Sequence, residues 1–280
     1  HLLRWFSASH HIRHKSLCIG TVFWCTYKTM ATVTDKSYGW RGRLGNISPT
    51  ACTEIFPYEF YRVAPDGVTL VLSNLVIRDA RESSQVEASW EGFADAIASL
   101  RETRVDHIAL AGAPLVLAKG VARHRELLEW LRRQAPVPAT TSPQAFADGL
   151  KHLGAAKLAV ATSFIPAHNQ LVKEFLTTEG FDVLAIEGLD TGMSSIEKAM
   201  LSPHRVFDHV RNVGRRHPSC DAVLITSSAW PTLAVIQALE DDLGKPVVSS
   251  ALGQIWAPLR DLGIKADIRG YGKLLDTLAH

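Results

Sequence analysis

The stretch Val105–Pro114, VDHIALAGAP, decides the fold because the chain repeats its pattern further on. Residues Cys220–Ala229, CDAVLITSSA, have the same order: an aspartate, a short apolar run and then a turn of small residues. A short apolar run that ends at such a turn is typical of a buried strand. Each copy therefore predicts a strand followed by a small-residue turn that leads into a helix.

The similarity continues downstream of both copies. Val137–Thr141 followed by Leu150–Gly154 matches Pro246–Ser250 followed by Leu259–Gly263. Internal similarity at matched positions is the mark of a repeated structural unit. Each half is therefore predicted as strand, small-residue turn, helix, strand, hydroxyl-rich turn and helix. The alternative is a chance similarity between two ordinary strand–helix units.

Apolar runs alternate with amphipathic stretches along the rest of the chain. The predicted strands are Arg43–Ile47, Thr69–Leu75, His107–Ala111, Leu158–Ala161, Asp182–Ile186, Ala222–Ile225 and Val247–Ser249. The predicted helices are Trp90–Glu102, Lys119–Gln134, Ser142–Leu153, Ala167–Glu179, Ser202–Arg215, Pro231–Leu243 and Leu252–Leu262. This alternation indicates an α/β fold of two similar lobes, each a parallel sheet flanked by helices. The ligand cleft is expected between the lobes, beyond the carboxyl ends of the strands.

The first 29 residues differ from the rest because they contain no aspartate or glutamate. We interpret residues 1–29 as an extension: a tag, an upstream-translated stretch or a targeting segment. Residues 30–142 together with 256–280 are predicted to form the first lobe, and residues 143–255 the second.

Composition excludes several functional classes. With 30 basic and 28 acidic side chains among 280 residues, the chain has no basic stripe for nucleic acid. No apolar run reaches the roughly 18 residues of a membrane span. The 4 cysteines are too scattered for a disulfide framework or a zinc site, and no nucleotide-binding or HExxH pattern is present. We therefore expect a cytoplasmic protein with no metal or other cofactor.

Further motifs give the chain a family resemblance over Trp40–Leu275. They are Trp40-Arg41, Leu44-Gly45, Pro49, Leu110–Gly120, Leu153-Gly154, Ala161–Phe164 with Asn169, Leu239-Glu240, Leu243–Ser250, Trp256 and Gly270–Leu274. With these motifs in this order, the chain resembles the aspartate/glutamate racemase superfamily. Within that superfamily it resembles the branch of arylmalonate decarboxylases and maleate cis-trans isomerases. The resemblance implies a small carboxylate or dicarboxylate bound between the lobes, with catalytic cysteines on the turns that face it.

The chain departs from that family at the reacting positions. The resemblance places Gly112 and Ser227 at the two cysteine positions, and glycine at the first is also what arylmalonate decarboxylases show. Ala113 and Pro114 stand where the decarboxylases have a threonine and a serine, and Phe164 stands where they have a tyrosine. A serine hydroxyl needs an adjacent base to act as a nucleophile or proton donor. The resemblance therefore implies the fold of the family but not its cysteine mechanism.

Two residues are candidates for catalysis. Ser227 occupies the second cysteine position, and Cys52 follows the first strand in a loop that the resemblance places at the cleft. The alternative for Cys52 is a buried, small, apolar-like side chain.

The candidate substrate-binding residues are mostly hydroxyls and small turn residues at strand ends. They are Gly112, Ala113, Thr226, Ser228, Phe164, Thr140, Thr141, Ser249 and Ser250. Hydroxyls and backbone N–H groups at a helix N-terminus favour an anion such as a carboxylate. The alternative for any one of these hydroxyls is helix capping.

Three functional hypotheses follow. The first is a cofactor-independent lyase or isomerase that acts on a small carboxylate through an enediolate-like state, with no nucleic-acid or membrane partner and oligomerisation left open. The second is a catalytically degenerate protein of the same fold that binds or senses a carboxylate. Some members of the superfamily are linked to ectoine-type catabolism, which either hypothesis accommodates. The third is a two-lobed solute-binding protein, disfavoured because no signal peptide is recognised.

Overall fold

Eight parallel strands form two four-stranded sheets in the computed structural model, which describes residues 36–50, 52–77, 82–189, 192–227 and 229–280. The first sheet contains β1 (Gly42–Thr50), β2 (Val68–Ile77), β3 (His107–Leu110) and β4 (Ala139–Thr141), in the order β2-β1-β3-β4. The second contains β5 (Lys157–Thr162), β6 (Asp182–Gly188), β7 (Ala222–Thr226) and β8 (Val247–Ser249), in the order β6-β5-β7-β8. The two orders are the same, which confirms the predicted repeat of a parallel α/β unit.

Helices follow the strands in both halves. Their bounds are α1 Ile55–Val63, α2 Ser83–Glu91, α3 Phe93–Glu102, α4 Ala113–Leu117, α5 Gly120–Gln134, α6 Ser142–His152, α7 Pro166–Thr178, α8 Ser195–Ala199, α9 Pro203–Arg216, α10 Ile236–Leu243, α11 Ser250–Asp261 and α12 Lys273–Asp276. Short 3₁₀ turns lie at Leu233–Val235 and Thr277–Ala279. The residues from Ser37 to His280 belong to one compact unit. None of the helices in the described ranges is long and apolar enough to cross a membrane.

All seven predicted strands overlap observed ones, whereas two predicted helices have clearly different bounds and α1, α4, α8, α12 and most of α2 were not predicted. The helix expected over Trp90–Glu102 is not continuous: it consists of the last two residues of α2 and the whole of α3, with a break at Gly92 between them. The helix expected from Pro231 begins only at Ile236, after the 3₁₀ turn. Helix α1 was not predicted; its Pro57 lies in the first turn, where the missing N–H costs no hydrogen bond.

Two aspartates occupy equivalent positions in the halves. The Asp106 carboxylate accepts the backbone N–H of Arg43 at 2.8 Å, and the Asp106 N–H donates to the Arg43 carbonyl at 2.8 Å. Asp221 forms the same pair of bonds with Lys157, at 2.7 and 2.8 Å. Each aspartate therefore fixes the start of the middle strand pair of its sheet.

The halves meet along α6 and α11, the helices that follow the last strand of each sheet. A Cβ atom on Gly253 of α11 would lie only 2.9 Å from the Phe146 backbone nitrogen in α6. The absence of a side chain at Gly253 lets the two helix backbones approach closely. The extension predicted for residues 1–29 lies outside the described residues.

Candidate functional site

Both halves contribute residues to one cleft, called here the central cleft, which encloses about 50 Å³. It is lined by Asn46, Ser48, Cys52, Thr53, Ile55, Phe56, Pro57, Glu59, Leu72, Asn74, Ala111, Ser227, Trp230, Ala251 and Gln254. Ala111 and Ser227 follow the carboxyl ends of β3 and β7, the edge at which open α/β sheets bind ligands.

Ser227 is a buried hydroxyl at the wall of the central cleft. Its Oγ lies 2.8 Å from the Oγ of Ser163, and the Ala229 N–H donates to it at 3.4 Å. If Ser163 donates to Ser227, the Ser227 O–H is available to a ligand in the cleft. Ser163 therefore belongs to the site, although sequence reasoning did not single it out. Ser228 lies outside the described residues.

Cys52 lines the central cleft from the other half, just after β1. The side chain is 6% exposed. Burial, and after it the negative charge of Glu54, raises the pKa of the Cys52 thiol. Cys52 is therefore held as a thiol at neutral pH, a form that donates a proton but is a poor nucleophile.

The turn at Gly112 has no room for a side chain. Its φ is +86°, and a Cβ atom would lie 2.5 Å from Cγ of Pro49. An L-residue is strained at this φ, and the proline ring blocks the space as well. Ala113 and Pro114 begin α4 and are buried. The structure thus explains why glycine occupies this position.

Thr141 and Ser249 act as helix N-caps at equivalent points of the halves. The Thr141 hydroxyl accepts the Gln144 N–H at 3.3 Å, and the Ser249 hydroxyl accepts the Leu252 N–H at 3.1 Å. His124 also approaches Thr141, with Nε2 2.8 Å from Oγ1. The hydrogen bonds to Gln144 and Leu252 give both hydroxyls a helix-capping role, which is the alternative to substrate binding.

The remaining predicted hydroxyls in the described residues are also buried. Ser250 donates its hydroxyl hydrogen to Thr226 Oγ1 at 3.2 Å, and Thr140 donates to the Thr141 carbonyl at 3.3 Å. The described residues that line the cleft do not include Thr140, Thr141, Thr226, Ser249 or Ser250. Direct contact of these five side chains with a substrate therefore stays a prediction.

Phe164 is buried and packs its ring against His168, with the ring centres 6.3 Å apart. Its backbone N–H donates to Thr162 Oγ1 at 3.1 Å, and the Thr162 hydroxyl donates to Asn169 Oδ1 at 2.7 Å. Phe164 is not among the residues that line the central cleft.

Uncharged polar side chains that sequence reasoning missed form one wall of the central cleft. Asn46 Nδ2 donates to Gln254 Oε1 at 3.1 Å, and Ser48 of β1 lies opposite Asn74 of β2 in the strand register. Gln254 also donates to the Ser250 carbonyl at 3.2 Å. No lysine, arginine or histidine occurs among the described residues that line the cleft. A signal existed in the sequence, since the polar Asn46 lies between Leu44 and Ile47, two apolar residues of the predicted strand.

Glu59 is a buried carboxyl group at the edge of the central cleft. It accepts the Leu233 N–H at 2.7 Å and the Thr232 hydroxyl at 3.4 Å. Burial outweighs these hydrogen bonds and raises the pKa of Glu59 to about 7. Sequence reasoning missed Glu59 because α1, which carries it, was not predicted. Across the described ranges, no three His, Cys, Asp or Glu side chains lie close enough together to hold a metal ion.

Two parallel sheets with one order, and a cleft at their carboxyl ends, define a two-lobed α/β fold of the aspartate/glutamate racemase type. A family model described as arylmalonate decarboxylase matches residues 44–275, most of the chain. The chain belongs to this arylmalonate decarboxylase family.

Known relatives agree with that assignment. The chain is 29% identical over 239 residues to arylmalonate decarboxylase from Bordetella bronchiseptica, covering 83% of this chain and 96% of the relative. It is 26% identical over 182 residues to maleate isomerase from Alcaligenes faecalis, covering 63% and 71%. A solved structure of a liganded arylmalonate decarboxylase variant superposes with a TM-score of 0.78 at 27% identity, covering 84% of this chain and 99% of that one. The maleate isomerase of Pseudomonas putida S16 with maleate gives a TM-score of 0.74 at 26% identity, covering 84% and 97%.

Proposed function

We propose that this protein is a cofactor-independent lyase or isomerase that acts on a small carboxylate in the central cleft. One observation carries the proposal: Cys52 follows β1 of the first sheet, Ser227 follows β7 of the second, and both line the same cleft. A proton-bearing group from each half thus borders the place where a substrate carbon would lie.

The proposed reaction passes through an enediolate-like state. Breaking a C–C bond to release CO₂ leaves an electron pair that spreads into the remaining carboxylate. Hydrogen-bond donors stabilise the resulting oxygen charge, and Ser227, supported by Ser163, supplies one. The Cys52 thiol then delivers its proton to the carbon, and solvent reprotonates the thiolate.

The side-chain amides of Asn46, Asn74 and Gln254, called here the amide wall, limit the class of substrate that the cleft would accept. Asn46, Asn74 and Gln254 offer neutral donors and acceptors to the part of the substrate that does not react. Trp230 also lines the cleft, and its buried indole N–H has no acceptor among the described residues. Among small carboxylates and dicarboxylates, these groups favour a polar substituent over an aryl ring, because a polar substituent can form hydrogen bonds with them and an aryl ring cannot.

The remaining assignments belong to the same proposal. The turn at Gly112 and Ala113 and the turn at Thr226 and Ser228 would face the carboxylate, with Phe164 and the capping hydroxyls behind them. Residues 30–142 with 256–280 would form the lobe around the first sheet, and residues 143–255 the lobe around the second.

A catalytically degenerate carboxylate-binding protein is the second candidate. It is favoured by Gly112, where Pro49 leaves no space for a thiol, and by the use of Thr141 and Ser249 as helix caps. Such a protein would bind a carboxylate without turning it over.

Deuterium incorporation separates the two candidates. The protein is incubated in heavy water with methylmalonate, hydroxymalonate, phenylmalonate and maleate, and products are followed by NMR. We expect solvent deuterium in at least one acid, loss of that activity in Cys52→Ala and Ser227→Ala, and no loss in Cys220→Ala. Cys220 is a matched control, because it is buried but lies outside the cleft. Binding of an acid with no exchange and no turnover would contradict the enzyme and support the degenerate alternative.

A further inference from the structure

Glu59 connects the first half of the molecule to the segment that carries Ser227. It lies on α1, after β1, and its side chain is 4% exposed. Its carboxylate oxygens accept the Leu233 N–H at 2.7 Å and the Thr232 hydroxyl at 3.4 Å. The Thr232 Oγ1 atom also lies 3.1 Å from Ser249 Oγ, at the start of α11. Glu59 therefore anchors the segment between β7 and α10.

Residues 229–233 form a short segment with little freedom. Trp230 is buried, and Pro231 fixes its own φ angle. The Ala229 N–H bonds back to Ser227 Oγ at 3.4 Å. A displacement at Leu233 is therefore passed through residues 229–233 to Ala229, whose hydrogen bond connects it to Ser227.

We propose that Glu59 is a positioning residue for Ser227: its ionised carboxylate holds the segment 229–233, and protonation of Glu59 weakens that hold. The effect on turnover rests on the proposed function. The effect on the position of the segment does not.

Protonation changes the hydrogen bonds that Glu59 can form. The ionised carboxylate accepts from both Leu233 and Thr232, whereas the protonated acid carries one O–H donor. That donor would point to Thr232 Oγ1, whose own hydrogen would turn to Ser249. Charge-assisted bonds are roughly twice as strong as neutral ones, so the Leu233 contact weakens when Glu59 is protonated.

The surroundings of Glu59 make burial the main influence on its ionisation. The titratable groups that line the same cavities are Cys52, Glu54, Tyr58, Arg62 and Tyr271. The second half faces Glu59 with uncharged residues, which are Pro203, Ser227, Trp230, Pro231, Thr232, Leu233, Ala234, Ala251 and Gln254. Because desolvation raises the pKa of Glu59 to about 7, both protonation states exist near neutral pH.

An NMR titration of backbone amides tests the proposal without any substrate. The amide signals of Leu233 and Ala229 are followed from pH 5.5 to 8.5 in the wild type, Glu59→Gln and Glu102→Gln. We expect the Leu233 amide proton to move downfield as Glu59 ionises, and the Ala229 amide to titrate with the same midpoint, near 7. Glu59→Gln, which imitates the protonated acid, should be flat. Glu102→Gln, which removes an exposed carboxylate at the end of α3, should behave as the wild type.

Two results would overturn the proposal. In one, the Leu233 titration persists in Glu59→Gln. In the other, Ala229 stays unchanged in the wild type while Leu233 titrates. The second result needs no variant, so the test is decisive even if Glu59→Gln fails to fold.

The deuterium assay gives an independent readout. With an active acid, protonating Glu59 should lower kcat by about tenfold to a hundredfold with little change in KM, because a misplaced Ser227 affects the reacting state most. Activity without linked titration of Leu233 and Ala229 would reject the role of Glu59 and leave the proposed function intact. Linked titration without any turnover would support the role of Glu59 and contradict the proposed function.

Discussion

Ser163 Oγ and Ser227 Oγ lie 2.8 Å apart at the wall of the central cleft. Each serine directly follows the last residue of a strand, and those last residues, Thr162 and Thr226, are partners in the β5–β7 register. Adjacent parallel strands that end together bring the next residues side by side. The hydroxyl pair is therefore a product of strand pairing between segments that are 64 residues apart.

Ser163→Ala should impair Ser227 because it removes the hydroxyl partner of a buried group. We expect a loss of turnover of about tenfold and a loss of about 1 kcal/mol in the free energy of unfolding. Deuterium incorporation and urea denaturation measure the two effects. The control is Ser99→Ala, on the exposed side of α3. If Ser163→Ala behaves like this control in both measurements, the hydroxyl pair has no role.

Gly112→Cys should destabilise the fold by about 2 kcal/mol or more, since it combines an unfavourable φ with overpacking. Gly154→Ala separates these effects, because Gly154 also has a positive φ, +73°, but no atom within 4 Å of a Cβ. We expect Gly154→Ala to cost about 1 kcal/mol.

Adding Pro49→Ala to Gly112→Cys should recover part of the lost stability, because the Cγ atom that blocks the Cβ is removed. Chemical denaturation of the single and double variants checks this. No recovery would mean that the φ angle alone excludes a side chain at Gly112.

Cys52 should react slowly with alkylating agents at neutral pH. Burial and the charge of Glu54 raise the pKa of the thiol, so the thiolate fraction is below that of a free cysteine. We expect the rate of iodoacetamide labelling to rise with pH to a midpoint above the usual range, and Glu54→Gln to move this midpoint down. Mass spectrometry of the Cys52 peptide measures the rate. Fast labelling at pH 7 would contradict the buried thiol.

Glu59 should make the protein less stable as pH rises from about 4.5 to about 7. Its pKa is raised in the folded state, so in this window the folded chain holds a proton that the unfolded chain has lost. The size is on the order of 3 kcal/mol from the shift in pKa. Urea denaturation at pH 5, 6, 7 and 8 measures it.

The Glu59 effect is obtained as the difference between the wild type and Glu59→Gln. The subtraction is needed because buried His124, whose pKa is lowered to about 4, acts in the opposite direction. Its folded-state pKa lies below its unfolded value, so its contribution to stability rises with pH between about 4 and 6.5. A difference that does not change with pH would contradict the raised pKa of Glu59.

The double variant Asn46→Leu/Gln254→Met should change which malonates the cleft binds best. Removing both partners of a buried hydrogen bond leaves no unpaired group between them, so we expect only a small loss of stability. Binding should shift from polar malonates toward phenylmalonate, as measured by calorimetry. The single variant Asn46→Leu, which leaves the Gln254 oxygen unpaired, should be less stable than the double variant. Unchanged selectivity in the double variant would exclude the amide wall as a specificity determinant.

Much of the fold was predictable because its signals are local. The apolar runs from His107 and Ala222, each preceded by an aspartate and followed by small residues, mark equivalent strands, and Asp106 and Asp221 make the same bonds in the structure. Strand β4 was visible only through the repeat, since three residues carry too little periodicity to identify a strand. Helix α1 escaped prediction because Pro57 interrupts the pattern that would have marked it.

The candidate site was only partly predictable. The sequence placed Ser227 and Cys52 at strand ends near a cleft, and both line it. It could not distinguish a hydroxyl that faces the cleft, such as Ser227, from one that caps a helix, such as Thr141, because both follow strands in similar turns. Only the hydrogen-bond partners separate the two uses.

By itself, the sequence determined a repeated parallel α/β unit, because burial and turn formation depend on neighbouring residues along the chain. The tertiary structure alone decided the composition of the cleft. Asn46 meets Gln254 across 208 positions, and Glu59 meets Leu233 across 174. Such contacts depend on how the two sheets pack against each other, and packing brings together residues whose identities carry no local signal of their partners.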